Sequence, residues 1–225
     1  MPFMPTVVFD LDGTLVDTAP DLMAGLNHVL AIEGIEPVHY DDMTFLVGQG
    51  ARAMIERGFA LRGRPLAAER LAELLDLFIR HYLEGMPGES LPYAGVVRSL
   101  ETLKSEGFRL AVCTNKLESL ALPLLKGLKL DFYFDAIAGG DTFPVRKPDA
   151  GHILKTIESA GGDAAASVMV GDSVNDILAA RNAGLPSIAV PFGYSDVPVE
   201  TLKPTRIIGH FDELTPSLIR SLLAK

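Results

Sequence analysis

A single cysteine in 225 residues leaves no partner for an intramolecular disulfide. A lone thiol fits a reducing compartment, so the cytoplasm is the expected location. Cationic side chains are also in deficit: 20 Lys and Arg stand against 29 Asp and Glu, a formal net charge of -9. That sign opposes binding to nucleic acid or to an anionic membrane surface, and an anionic substrate must be drawn in locally. No apolar run approaches the roughly 20 residues of a membrane-spanning helix. The opening MPFMPTVVFD has neither a basic region nor a long apolar stretch, so no secretory signal is expected. What remains is ordinary globular material, 48% hydrophobic and 22% charged. The length suits one large domain, or one domain carrying an insertion. Composition favours neither a monomer nor a homodimer.

Short β-branched or apolar runs recur at Thr6 to Phe9, Phe108 to Cys113, Ala136 to Ala138, Ser167 to Val170, Ser187 to Val190 and, more weakly, Arg206 to Ile208. Helical patterns lie between most of them, around Leu100 to Lys104, Leu117 to Leu125, Ile153 to Ala160 and Ile177 to Ala183. This alternation predicts an α/β fold, a Rossmann-like doubly wound parallel sheet covered on both faces. The exception is Asp17 to Pro87, which has helical periodicity and no convincing strand. It reads as an insert: residues 17–87 form a small α-helical cap domain, and residues 1–16 with 88–225 form the core. The first cap helix opens at Thr18, Ala19, Pro20 and Asp21, a capping-box-like start with proline in the first turn. Leu22, Leu26, Val29 and Leu30 then share one face, and Leu71, Leu74, Leu75, Phe78 and Tyr82 make a second stripe. Met43 and Phe45 are expected in the cap core, and Pro87, Gly88, Pro92 and Gly95 mark the return linker.

Asp10-Leu11-Asp12-Gly13-Thr14 puts two carboxylates at the C-terminal end of the first predicted strand and breaks the chain with glycine. Ligands bind at such strand ends in doubly wound sheets. After the fourth predicted strand, Gly171-Asp172-Ser173-Val174-Asn175-Asp176 delivers two more acids to the same edge. Converging acids raise one another's pKa unless a hard divalent cation offsets the repulsion, and Mg²⁺ is the natural candidate. Capping of a helix N-terminus is the competing reading for Asp172 and Asp176. Thr114, Asn115 and Lys116 follow the second strand, a hydroxyl, an amide and a cation suited to phosphoryl oxygens. Lys147-Pro148 follows the third, where proline fixes a turn that lets the lysine reach back as a counter-charge.

In this order the motifs resemble those of the haloacid dehalogenase superfamily of phosphohydrolases, across essentially the whole core. The insert resembles that superfamily's type 1 cap, and Val47-Gly48-Gln49-Gly50 looks like the glycine-flanked loop of phosphoglycolate phosphatases. Ala150 departs from the pattern where a second proline is common, which touches a helix start and no catalytic role. The resemblance implies Mg-dependent hydrolysis of a small phosphate monoester, 2-phosphoglycolate first, through an aspartyl-phosphate. Asp10 is then the nucleophile and Asp12 the general acid and base, with Thr14 holding Asp12. Mg²⁺ is bound by Asp10, the Asp12 carbonyl and Asp172, with Asp176 in support. Thr114, Asn115, Lys147 and the main chain near Leu11 and Asp12 orient the phosphoryl oxygens. Gly48, Gln49, Gly50 and Arg52 are expected at the substrate, Arg52 facing its carboxylate.

A dehalogenase of the same superfamily needs only the first Asp and no metal, so Asp12, Asp172 and Asp176 argue for phosphate. The enzymatic alternative is another capped phosphatase, or a β-phosphoglucomutase-like phosphotransferase, acting on sugar or nucleotide phosphates. The non-enzymatic alternative is a phosphate-receiver domain, which would want its Asp after the third strand, where Asp141 stands. Cys113 reads as a buried small hydrophobe. The five histidines show no paired metal spacing, and Asp17 and Asp21 read as helix-start acids.

Overall fold

The computed structural model describes residues 5–42 and 46–224, so Met43 and Phe45 lie outside the described residues. Strand β1 (Thr6–Phe9) is buried along its whole length, as its unbroken apolar run requires of a central strand. A two-residue strand β2 (Val16–Asp17) follows the first acidic motif and leads, among the described residues, into helices α1 (Ala19–Ile32), α2 (Ala51–Leu61) and α3 (Ala68–Gly85). The chain returns through β3 (Leu91–Pro92), which pairs antiparallel with β2. This small ribbon stands at the edges of the 17–87 segment and is not among the expected strands. Two-residue strands carry no periodicity to read.

The remainder alternates as expected: α4 (Val96–Ser105), β4 (Arg109–Cys113), α5 (Glu118–Gly127), β5 (Ala136–Ala138), α6 (Ala150–Ser159), β6 (Ser167–Gly171), α7 (Val174–Asn182), β7 (Ser187–Ala189), β8 (Arg206–Ile207) and α8 (Pro216–Leu223). One six-stranded sheet results, in the order β5-β4-β1-β6-β7-β8 and parallel throughout. Side chains of β1 alternate between its faces. Val7 and Phe9 pack with Val96, Leu100 and Leu124 from α4 and α5, and Val8 packs with Ile153, Ile157 and Ala180 from α6 and α7. Because β1 lies between β4 and β6, the chain leaves it toward opposite sides of the sheet, and the C-terminal end of β1 is the switch point where a crevice opens.

Helices α1, α2 and α3 bury their stripes against one another: Leu26 and Leu30 of α1, Met54 and Phe59 of α2, and Leu74 and Phe78 of α3 share one cluster. Leu120 of α5 and Tyr194 join it, so the helical layer stands directly over the sheet's C-terminal edge.

Candidate active site

Asp10 ends β1 with its N–H still donating to Val170 O of β6 at 2.9 Å. The chain then coils tightly, and the Leu15 and Val16 N–H groups both donate to Leu11 O at 3.0 Å. Gly13 makes the coil possible: its φ is +81°, and a Cβ there would lie 2.6 Å from Asp172 Oδ2. Leu11 itself is fully buried in the core, so it offers the crevice only main-chain groups.

Three strand ends now converge. Asp10, Asp172 after β6 and Asp176 in the first turn of α7 can place one carboxylate oxygen each within 4.8 Å of one another, all buried. Lys147, reaching back from the loop after β5, sets Nζ 2.8 Å from Asp10 Oδ1 and 2.6 Å from Asp176 Oδ1. Asp176 also accepts from Ser173 N and Oγ at 2.9 and 2.7 Å, so both readings of this acid hold: it closes a capping box and faces the cluster. One ammonium does not balance three carboxylates. Burial first, then the Asp176 charge, pushes Asp10 up to about 7 against the pull of Lys147. Burial and the neighbouring Asp176 and Asp10 also raise Asp172 well above the usual carboxylate range. Burial alone would lower Lys147, but Asp10 and Asp176 outweigh it and keep the ammonium charged. Asp10 Oδ1 meets Lys147 Nζ as an ion pair but receives no well-aligned hydrogen bond. An oxygen-only cluster with surplus negative charge fits a hard divalent cation.

Asp12, two residues on, turns the other way. Its carboxylate receives Thr18 Oγ1 at 2.8 Å and Lys116 Nζ at 3.0 Å. The expectation that Thr14 holds Asp12 is therefore corrected: the buried Thr14 hydroxyl donates to Asp172 Oδ1 at 2.7 Å, and Thr18 holds Asp12 instead. Thr18 is thereby drawn from its expected capping role, and Tyr194 takes it over. The Tyr194 hydroxyl accepts from Thr18 N and Ala19 N at 2.8 and 2.9 Å, while Tyr194 N donates to Asp172 Oδ2 at 2.7 Å. Asp21 likewise does more than start a helix, since it accepts from Glu89 N and Ser90 N across the hinge at 3.0 and 2.8 Å.

Thr114 lines the crevice with its oxygen accepting from Lys116 N at 3.2 Å, which leaves the hydroxyl proton to give. Asn115 also lines it, and its amide donates to Lys147 O at 3.1 Å. His152 steadies the same loop from the far side: Nδ1 accepts from Lys147 N at 3.1 Å and Nε2 lies 3.0 Å from Gly139 O. Burial and the Lys147 charge push this imidazole down to about 4, so it is neutral, with the proton on Nε2. Cys113 is buried as expected, and burial pushes its thiol up to about 12. Asp141 is exposed and accepts from Glu118 N at 2.8 Å, which spends the acid a receiver domain would phosphorylate on starting α5.

The glycine loop of the insert comes down on the crevice. Asn175 Nδ2 donates to Gly48 O at 3.1 Å, and a Cβ at Gly50, where φ is +87°, would lie 3.3 Å from Asn115 O. Gly48 and Gly50 line one cleft together with Asp10, Asp12, Thr114, Asn115 and Lys116. Gln49 is exposed and faces a neighbouring depression. Arg52 is corrected: its side chain is 57% exposed, pairs with Glu56 one turn along α2 at 3.6 Å, and does not line the cleft. Helical geometry explains this, because Ala51 and Met54, three residues apart on one face of α2, line the cleft and Arg52 stands off that face.

The residues that the motifs did not single out are Thr18, Tyr82, His152 and Tyr194. Tyr82 lies in the apolar stripe of α3, yet its hydroxyl accepts from Lys116 Nζ at 3.0 Å.

The description "Haloacid dehalogenase-like hydrolase" belongs to a family model that matches residues 7–190. A phosphoglycolate phosphatase of Agrobacterium fabrum is 58% identical over 224 residues, covering 100% of this chain and 96% of that one. One of Caulobacter vibrioides is 48% identical over 217 residues, covering 96% and 92%. Among solved structures, a predicted phosphoglycolate phosphatase from Haemophilus somnus 129pt superposes with a TM-score of 0.87 at 28% identity, covering 94% of this chain and 96% of that one. With the motifs, the fold and these relatives in agreement, the chain belongs to the haloacid dehalogenase-like hydrolase family, as an enzyme that hydrolyses phosphoric monoesters.

Proposed function

We propose that the chain hydrolyses 2-phosphoglycolate to glycolate and phosphate through an aspartyl-phosphate on Asp10, in the presence of Mg²⁺. The observation that carries this reading is the division of labour between two carboxylates on one turn. Asp10 faces the acid cluster, where one ammonium stands against three carboxylates, and Asp12 faces Lys116 and Thr18, away from the cluster. The relatives named phosphoglycolate phosphatases support the choice of substrate.

Asp10, ionised, gives one oxygen to phosphorus as the P–O bond to the leaving alkoxide breaks, and Asp12, protonated, gives its proton to that alkoxide. Asp12, now a carboxylate, takes a proton from a water whose oxygen attacks the acyl-phosphate. Phosphate leaves, and both acids return to their starting states. Thr114 and Lys147 hold and neutralise the equatorial oxygens. Asp10, Asp172 and the Asp12 main chain would hold Mg²⁺, which when bound would supply positive charge that keeps Asp10 ionised and steadies the phosphoryl group. Thr14 and Tyr194 hold Asp172 for that purpose, and Asp176 holds Lys147.

The same reading divides the chain into a core, residues 1–16 and 88–225, and a helical cap, residues 17–87, whose loop closes the cleft against bulk water. It places the enzyme in the cytoplasm. No helix among the described residues is long and apolar enough to cross a membrane. The test is release of phosphate from 2-phosphoglycolate with Mg²⁺ and with EDTA, for wild type and Asp10→Asn. Turnover that needs the metal and vanishes in the folded variant is expected, and near-normal activity of that variant would refute the nucleophile.

A further inference from the structure

We propose that Lys116 is the specificity-determining residue of the cleft: it receives the second anionic group of the substrate, and Tyr82 positions it from α3. This rests on the phosphomonoesterase reading above and deepens it.

A carboxylate beside the transferred phosphate needs a counter-charge within the cleft, and Arg52 points into solvent. Of the described residues lining the cleft, Lys116 is the only cation. The rest of its wall offers Asp10 and Asp12, the polar Thr114 and Asn115, and an apolar surface that includes Leu22, Met54 and Phe78. In such surroundings an ion pair is screened less than in water.

Lys116 is built for a further partner. An ammonium has three N–H donors. The Asp12 carboxylate takes one, shared between Oδ1 at 3.0 Å and Oδ2 at 3.4 Å, and Tyr82 Oη at 3.0 Å takes a second, which leaves one for a ligand. The side chain is only 3% exposed, and the Tyr82 ring lies under it with Nζ 4.4 Å from the centroid. Phenol and ring together fix where the ammonium stands, and its charge is offset by the Asp12 carboxylate until Asp12 carries the proton of the first step. Because Lys116 lies three residues beyond β4 and Thr114 one residue beyond it, the phosphate site and the second anion site are carried on one rigid turn. Their short separation selects substrates with two closely spaced anionic groups.

The test separates binding from chemistry with two non-hydrolysable ligands. 3-Phosphonopropionate carries a carboxylate, and propylphosphonate lacks it. Their dissociation constants are measured calorimetrically in Mg²⁺ for wild type, Lys116→Met, Lys116→Arg and Tyr82→Phe, each checked for folding by circular dichroism. A charge-assisted hydrogen bond predicts that wild type prefers the carboxylated ligand by about 10- to 150-fold. Lys116→Met should bring the preference to within about threefold, and Lys116→Arg should restore part of it. Tyr82→Phe, which keeps the ring and loses the phenol, should reduce it by about two- to tenfold, and it carries the test if Lys116→Met does not fold. A wild type that binds both ligands equally overturns the inference and leaves the phosphatase reading standing. So does a preference that survives Lys116→Met and Tyr82→Phe, or an equal weakening of both ligands. A wild type that binds neither ligand and releases no phosphate overturns both.

Discussion

Replacing Lys147 by Met tests whether the acid cluster is held together by charge. The ammonium is buried within 2.8 Å of Asp10 and 2.6 Å of Asp176, and methionine fills its volume without its charge. Removing one partner of a buried ion pair typically costs about 3–5 kcal/mol. For a chain of this size, 1 kcal/mol corresponds to roughly 2–4 °C, so the metal-free variant should melt about 6–20 °C below wild type. The loss should be full at pH 8 and smaller near pH 6, because Asp10, already pushed up to about 7, then takes a proton and relieves the cluster. Asp176→Asn in the same chain removes the charge left unpaired. Calorimetry of both single variants and the double variant should therefore give a coupling of more than about 1.5 kcal/mol, with the double variant more stable than Lys147→Met alone. Excess Mg²⁺ should raise the melting temperature of Lys147→Met more than that of wild type. Additive losses, or a Lys147→Met protein as stable as wild type, would refute the charge argument.

Thr14→Val should weaken Mg²⁺ binding by about 10- to 100-fold in calorimetric titration, because the lost hydroxyl orients Asp172. If Thr14 instead served Asp12, metal affinity would not move. The Asp10 shift sets a pH dependence whose sign follows from proton binding. Between the ordinary value of 3.8 and about 7 the folded, metal-free protein holds a proton that the unfolded chain has released. This group's contribution to stability therefore falls as pH rises through that window. Metal must displace this proton and any held by Asp172, which is raised as well, so Mg²⁺ affinity should rise with pH by about tenfold or more per unit toward pH 7. Melting curves with and without metal across pH 4.5–8 read both effects. Arg52→Ala should change KM for 2-phosphoglycolate by less than about twofold, as expected of an exposed pair with Glu56.

Periodicity and strand-end chemistry made most of the core legible. The six expected strands of the sheet appear within a residue or so of where their apolar runs stand, since a strand buried on both faces has little freedom in composition. Asp10, Asp172 and Asp176 could be placed together because a parallel sheet brings strand ends to one edge. Side-chain direction was less legible. Thr14 and Thr18 are both threonines near Asp12 in sequence, and only the coil around Leu11 O decides that the first reaches Asp172 and the second Asp12. Tyr82 reads as one more apolar contact of α3 because its ring packs so, and its hydroxyl gains meaning only when the turn after β4 brings Lys116 over it. Tyr194 sits in a loop with no pattern of its own, yet it joins Asp172 to the start of α1.

The central claim is that Asp10 itself carries the phosphoryl group. The most direct measurement is acid-quenched mass spectrometry of the Asp12→Asn variant mixed with p-nitrophenyl phosphate and Mg²⁺. That variant lacks the base for the second step, while the phenolate leaving group needs little acid in the first. The account predicts a phosphoryl adduct on the peptide containing Asp10, absent from Asp10→Asn and decaying slowly. Release of p-nitrophenol with no protein-bound phosphate at any time, or an adduct on another residue, would contradict it.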